Sequence, residues 1–101
     1  MTLTGNMLIG QQAITGNREA IRAINPATGT ALEPAYLGSG SEDVEQACTL
    51  AQEAFDSFRE TSLETRATFL ETIAAEIEAL GDELIDRAVS ESGHPRPRNV
   101  G

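Results

Sequence analysis

The chain has no lysine at all, and only one cysteine and one histidine among its 101 residues. Without lysine, and with glycines in residues 1–40 that do not read as a strand–glycine–helix phosphate loop, a nucleotide site built within these residues is not expected. A single Cys excludes an intrachain disulfide and fits a reducing compartment. One His and one Cys on unrelated segments do not make a zinc site. No stretch approaches the ~20 apolar residues of a membrane span. Residues 1–10 have neither a basic region nor a long apolar run, so they do not read as a signal peptide. The expectation is a soluble, cytoplasmic protein with no membrane partner.

The formal net charge is −9, and its placement is uneven. Residues 1–41 balance two acids against two Arg, whereas residues 42–92 carry fourteen acids against three Arg, a net of −11. The last nine residues add +2. A strongly acidic face repels phosphate, so no nucleic acid or anionic membrane is expected to bind. The ordinary reading of such acids is a solvated helical surface. Leu, Ile, Val and Phe number 22, just above the level of ~20 % below which chains stay disordered. Most of them lie between Val44 and Val89, so any core is thin, helical and central.

Three parts follow from pattern and punctuation. Residues 1–40 form a β-rich segment with glycines between short runs of strand formers: Met7–Ile9, Ala20–Ile24 and Leu32–Leu37. Two or three short strands are expected, with Gly16-Asn17 as a candidate hairpin turn. Asn25-Pro26-Ala27-Thr28-Gly29 reads as a turn, because Pro26 fixes its own φ and pushes Asn25 out of the helical region. Residues 41–93 predict three amphipathic helices. Ser41 is the expected N-cap of the first, with Val44, Ala47, Cys48, Ala51, Phe55 and Phe58 on one face. Thr61-x-x-Glu64, or Ser62 alone, caps the second, whose stripe is Ala67, Leu70, Ile73, Ala74, Ile77 and Leu80. Gly81 interrupts, Asp82 is placed to cap a third, and Gly93 is placed as its stop. Residues 94–101, with prolines at alternate positions, predict an extended or disordered tail. Together the three parts make an incomplete piece of one domain.

Chemistry-bearing residues are few. Cys48 sits mid-helix on the apolar face among Glu42, Asp43, Glu45 and Glu53. A reactive thiol instead wants an electropositive, partly exposed setting, so a buried, inert Cys48 is expected. His94 reads as a surface residue. Glu64, Glu71, Glu76 and Glu78 lie off the apolar stripe and face water, which suits neither acid nor base catalysis. No residue is assigned a catalytic, cofactor-binding or metal-ligating role.

The order of the pieces resembles the opening of the aldehyde dehydrogenase superfamily. The carrying residues are Met7-Leu8-Ile9-Gly10, Ile24 to Gly29, Ser41-Glu42-Asp43-Val44, Ala54-Phe55-Asp56-Ser57-Phe58, Thr61 to Ala67 and Glu91-Ser92-Gly93-His94-Pro95. Thr4 to Gly10 and Ala31 to Tyr36 look most like the α-ketoglutarate semialdehyde (2,5-dioxovalerate) dehydrogenases within it. The resemblance ends at Pro95, where Arg96 to Gly101 departs from the family pattern; a premature stop, a frameshift or a truncation would each produce this.

The resemblance implies an α+β fragment, an outer part of a Rossmann-like cofactor domain, in a full-length enzyme that is usually homo-oligomeric. In that enzyme NAD or NADP accepts hydride, a cysteine thiolate attacks the aldehyde and a glutamate activates water. All of these groups lie downstream, so none maps here, and Cys48 does not match the catalytic Cys. The expected function is therefore an N-terminal fragment of an NAD(P)-dependent semialdehyde-oxidising enzyme, inactive by itself and binding no cofactor. The alternative is a self-standing acidic helical protein-interaction module.

Overall fold

Residues 7–14 fold on themselves as a hairpin. Strand β1 (Met7–Ile9) pairs antiparallel with β2 (Gln12–Ile14), Ile9 opposite Gln12, so that Gly10 and Gln11 alone make the turn. Gly10 takes φ +62 while Gln11 keeps negative φ, the pattern of a type II′ turn whose twist suits paired strands. A second two-stranded sheet joins β3 (Ala20–Ile21) to β4 (Tyr36–Leu37), with an isolated bridge between Ile24 and Ala31 beyond it. At its end the Asn25–Gly29 turn forms as the sequence predicts. The Asn25 side chain accepts from the Ala27 N–H at 2.9 Å, and the Asn25 carbonyl accepts from Gly29 at 2.7 Å. The computed structural model describes residues 2–100; Gly101, the end of the expected tail, lies outside them.

Two corrections apply to this segment. It holds four short strands rather than two or three, and the hairpin turns at Gly10-Gln11 rather than at Gly16-Asn17. Gly16 instead packs tightly against the other sheet. A Cβ there would sit 2.8 Å from the Leu37 carbonyl carbon and closer still to the carbonyl oxygens of Leu37 and Gly38.

Helix α1 (Ser41–Arg59) begins at the residue expected to cap it, so the cap lies one residue earlier. Gly40 is the N-cap, Ser41 is already helical, and no side chain caps the start. Glu42 and Asp43 occupy the first turn, where the dipole favours acids. Helix α2 (Leu63–Ser92) starts at Ser62, whose hydroxyl accepts from the Thr65 N–H at 3.0 Å. Thr61 turns the other way and donates to the Phe58 carbonyl at 2.7 Å, finishing α1. Gly81 is non-helical (φ 55, ψ −135) and kinks α2, so the two expected helices run on as one broken element. Gly93 ends it at φ 71, its N–H donating to Val89 at 2.9 Å.

The tail is not extended. Arg96–Val100 forms a short helix, α3, with Pro95 and Pro97 at its start, where a missing N–H costs nothing. Arg96 anchors it by gripping Asp82 at 2.5 Å and Asp86 on α2.

The elements leave little inside. Among the described residues no hydrophobic side chain is buried; only Gly16 and Gly40 are. The radius of gyration is 17.1 Å, against ~13 Å for a compact chain of this length. Exposed surface is 7807 Å², against about 5,500 Å² for a folded monomer of this mass. The molecule is a plate of 49 × 35 × 18 Å. The helices touch each other at their shared corner, where the Phe58 and Phe69 rings meet edge to face at 5.7 Å. The first sheet rests on α1 through Gly10 and Leu50, and the turn at Pro26 meets the end of α2 at Gly93. No helix among the described residues is long and apolar enough to cross a membrane.

Candidate functional site

Each chemistry-bearing residue stands apart from the others. Cys48 is exposed, not buried. Its helix face is apolar as expected, and Val44, Phe55 and Phe58 on that face stay exposed. His94 is exposed just beyond α2, its N–H donating to the Ser92 hydroxyl at 3.1 Å. Glu64, Glu71, Glu76 and Glu78 are all exposed on α2. No group of three or more His, Cys, Asp or Glu suited to a metal ion occurs among the described residues.

The strand β4 runs through Gly38-Ser39-Gly40 straight into the N-terminus of α1, an arrangement that the sequence reading did not find. Glycines between a strand and a helix start are what a phosphate needs for close approach. Here the space is taken. A Cβ on Gly40 would lie 2.5 Å from the Arg18 guanidinium and 2.6 Å from the Glu42 carboxylate. Glu42 folds back on its own main-chain N–H, which holds its carboxyl below the usual range. Burial opposes this, and Arg18 at 3.9 Å and the Asn17 side chain add smaller contributions. The helix start thus carries its own anion, and a dinucleotide pyrophosphate would meet a carboxylate there. These residues do not fit NAD(P).

Arg22, Arg59, Arg66, Arg87 and Arg96 are structural ties. Arg87 pairs with Glu91 at 2.6 Å and donates to the Glu33 carbonyl at 2.6 Å, fastening the N-terminal segment to α2 across 54 residues. The signal for half of this was visible, since Arg87 and Glu91 stand four apart; the main-chain acceptor was not. An open recess of about 360 Å³ lies between the first hairpin and α1, lined by Ile9, Gly10, Gln11, Gln12, Gln46 and Leu50. It offers amides and methyls but no titratable group.

Comparison with known proteins gives a consistent answer. The model of the aldehyde dehydrogenase family matches residues 13–100. The chain is similar to alpha-ketoglutaric semialdehyde dehydrogenase 2 of Azospirillum brasilense, 48 % identical over 102 residues, covering all of this chain and 19 % of that protein. It is 36 % identical over 100 residues to alpha-ketoglutaric semialdehyde dehydrogenase of Acinetobacter baylyi, covering 96 % of this chain and 18 % of that one. A succinate semialdehyde dehydrogenase [NAD(P)+] of Escherichia coli is 36 % identical over 73 residues, covering 72 % of this chain and 16 % of that protein. No solved structure matches. The chain thus spans about a fifth of the length of the first two relatives.

Proposed function

Since the chain belongs to the aldehyde dehydrogenase family, we propose that it is the N-terminal segment of a semialdehyde dehydrogenase subunit and contributes surface rather than chemistry. In this reading the segment is an incomplete part of one domain, an outer layer on a Rossmann-like cofactor domain. The parent reaction is oxidation of a semialdehyde such as α-ketoglutarate semialdehyde to the carboxylate. The observation that carries this is the coreless plate: two helices with apolar faces and no buried hydrophobic side chain between them. Such faces form when a larger body is meant to cover them.

No residue of this chain is catalytic in that reading, and none holds NAD(P) or a metal. Cys48 stands exposed on α1 apart from His94, and the glycine-bounded start of α1 is filled by Glu42 and Arg18. A lone cysteine supports a reducing, cytoplasmic setting.

The test is complementation in two pieces. The Azospirillum relative is produced without its matching 102 residues, alone and together with this chain, and cofactor reduction with α-ketoglutarate semialdehyde is followed by absorbance. Activity is expected only from the pair. Turnover by this chain alone, persisting in Cys48→Ala, would overturn the reading, because a site within these residues would have to carry it.

A further inference from the structure

The two sides of the Gly81 break in α2 are held differently. Every residue from 63 to 80 is exposed except Arg66 and Leu80, whereas Ile85 and residues 87–90 are half-buried. The later side is fastened from several directions. Arg87 donates to the Glu33 carbonyl, Pro26 lies against Gly93, and Arg96 of α3 grips Asp82 and Asp86. The earlier side meets α1 at the corner, through the Phe58 and Phe69 rings, with Arg66 donating to the Thr61 carbonyl at 3.2 Å. Between them stands Gly81 at φ 55 and ψ −135, dihedrals that a residue with a side chain rarely adopts. A Cβ built on it would have no atom within 4 Å, so nothing packed against this side of the residue fixes those angles.

We propose that Gly81 is a two-position hinge, bent as in this structure and straight in a second form. Residues 63–80 swing about it while residues 82–100 stay on the N-terminal segment. The bend lets Arg87 reach Glu33 while Phe69 still meets Phe58. A helix run straight through residue 81 regains the main-chain bonds that the bend interrupts, and gives up that corner contact. Each form gains what the other loses. Glycine is a poor helix former, which keeps the straight form from dominating. The hinge is a property of this chain alone, so its failure and that of the two-piece complementation are separable.

Double electron–electron resonance on the full chain tests it, with Cys48→Ser removing the exposed native thiol. One label pair, Glu71→Cys with His94→Cys, spans the break; a second, Glu64→Cys with Glu78→Cys, lies within its earlier side. At about 1.5 Å per residue, a straight helix separates the first pair by about 35 Å and the second by about 21 Å. The spanning pair is expected to give two distances, one near ~35 Å and one shorter, and the inner pair a single narrow one. Gly81→Ala is expected to lower the shorter population at least about tenfold, because alanine resists φ 55. A single narrow distance across the break with Gly81 in place overturns the proposal. So does a shorter population unchanged in Gly81→Ala, or equal breadth in the two pairs, which is general fraying. Far-UV circular dichroism checks that the labelled chains stay helical. Should Gly81→Ala lose its helix, the two pairs measured with Gly81 in place decide the matter alone.

Discussion

Residues 18–38 turn their main chain inward, while residues 41–92 turn their side chains outward. In the first region the Arg18 N–H donates to the Gly38 carbonyl and the Gly38 N–H to the Glu19 carbonyl, both at 3.0 Å, Leu32 donates to Ala23 at 2.7 Å, and the neighbouring Gly16 lets the backbones close up. The partners of these groups are all within the chain, so the region is complete with hardly any apolar burial. In the second, helical hydrogen bonds satisfy the backbone locally, and the apolar faces have no partner inside the chain. A backbone-held region depends on close approach; a side-chain-held region depends on what lies against it. Damage to one should therefore leave the other almost unchanged.

The largest expected effect comes from filling the close approach. Gly16→Val puts branched carbon against the main chain of Leu37 and Gly38, which cannot step aside as a side chain can. The cost is about 3 kcal/mol, the upper end for overpacking. Amide exchange should show protection lost across residues 18–38 and kept in α1 and α2. Loss of helical protection to the same extent would mean that the two regions are one cooperative unit. A smaller effect, about 1 kcal/mol, is expected from Ser62→Ala, which removes the acceptor for the Thr65 N–H. Carbon chemical shifts should report fraying over residues 62–66 alone; changes in β3 or β4 would contradict the comparison.

The smallest effect is a pH dependence where the two regions meet. Glu42 titrates below its ordinary 4.5, first because it accepts its own main-chain N–H and to a lesser degree because of Arg18. A lowered folded-state pKa favours the folded helix start above the ordinary value, and that contribution is lost as pH falls through the folded pKa. A carboxyl-carbon NMR titration should place Glu42 below 4.5, with a rise in Arg18→Ala. A midpoint at or above the ordinary value would remove the link.

The sequence disclosed what is local. The Asn25–Gly29 turn, the Ser62 cap, the Gly81 break and the Gly93 stop each depend on a residue and its near neighbours, and all are present. The Gly10-Gln11 hairpin escaped notice because Gln12 and Ala13 lack strand-forming side chains and are held by main-chain pairing with Leu8 and Ile9. The glycine-bounded entry to α1 escaped because its character comes from Arg18, far along the chain. Helix α3 depends on Arg96 reaching Asp82 and Asp86, a spacing that only the chain reversal after Gly93 makes short. The expected burial of Cys48 failed for another reason. Periodicity says which face seeks cover and nothing about which molecule supplies it.

The Arg87 contact to the Glu33 carbonyl has a consequence in time. The acceptor leaves the ribosome 54 residues ahead of its donor, a gap of roughly 3–11 s at ~5–20 residues per second. Hairpins close in about 1–10 μs, so β1 and β2 have ample time to pair before α2 exists. The N-terminal segment must therefore hold on its own turns and strand pairs until Arg87 has been made, and the last turns of α2 arrive to find it formed.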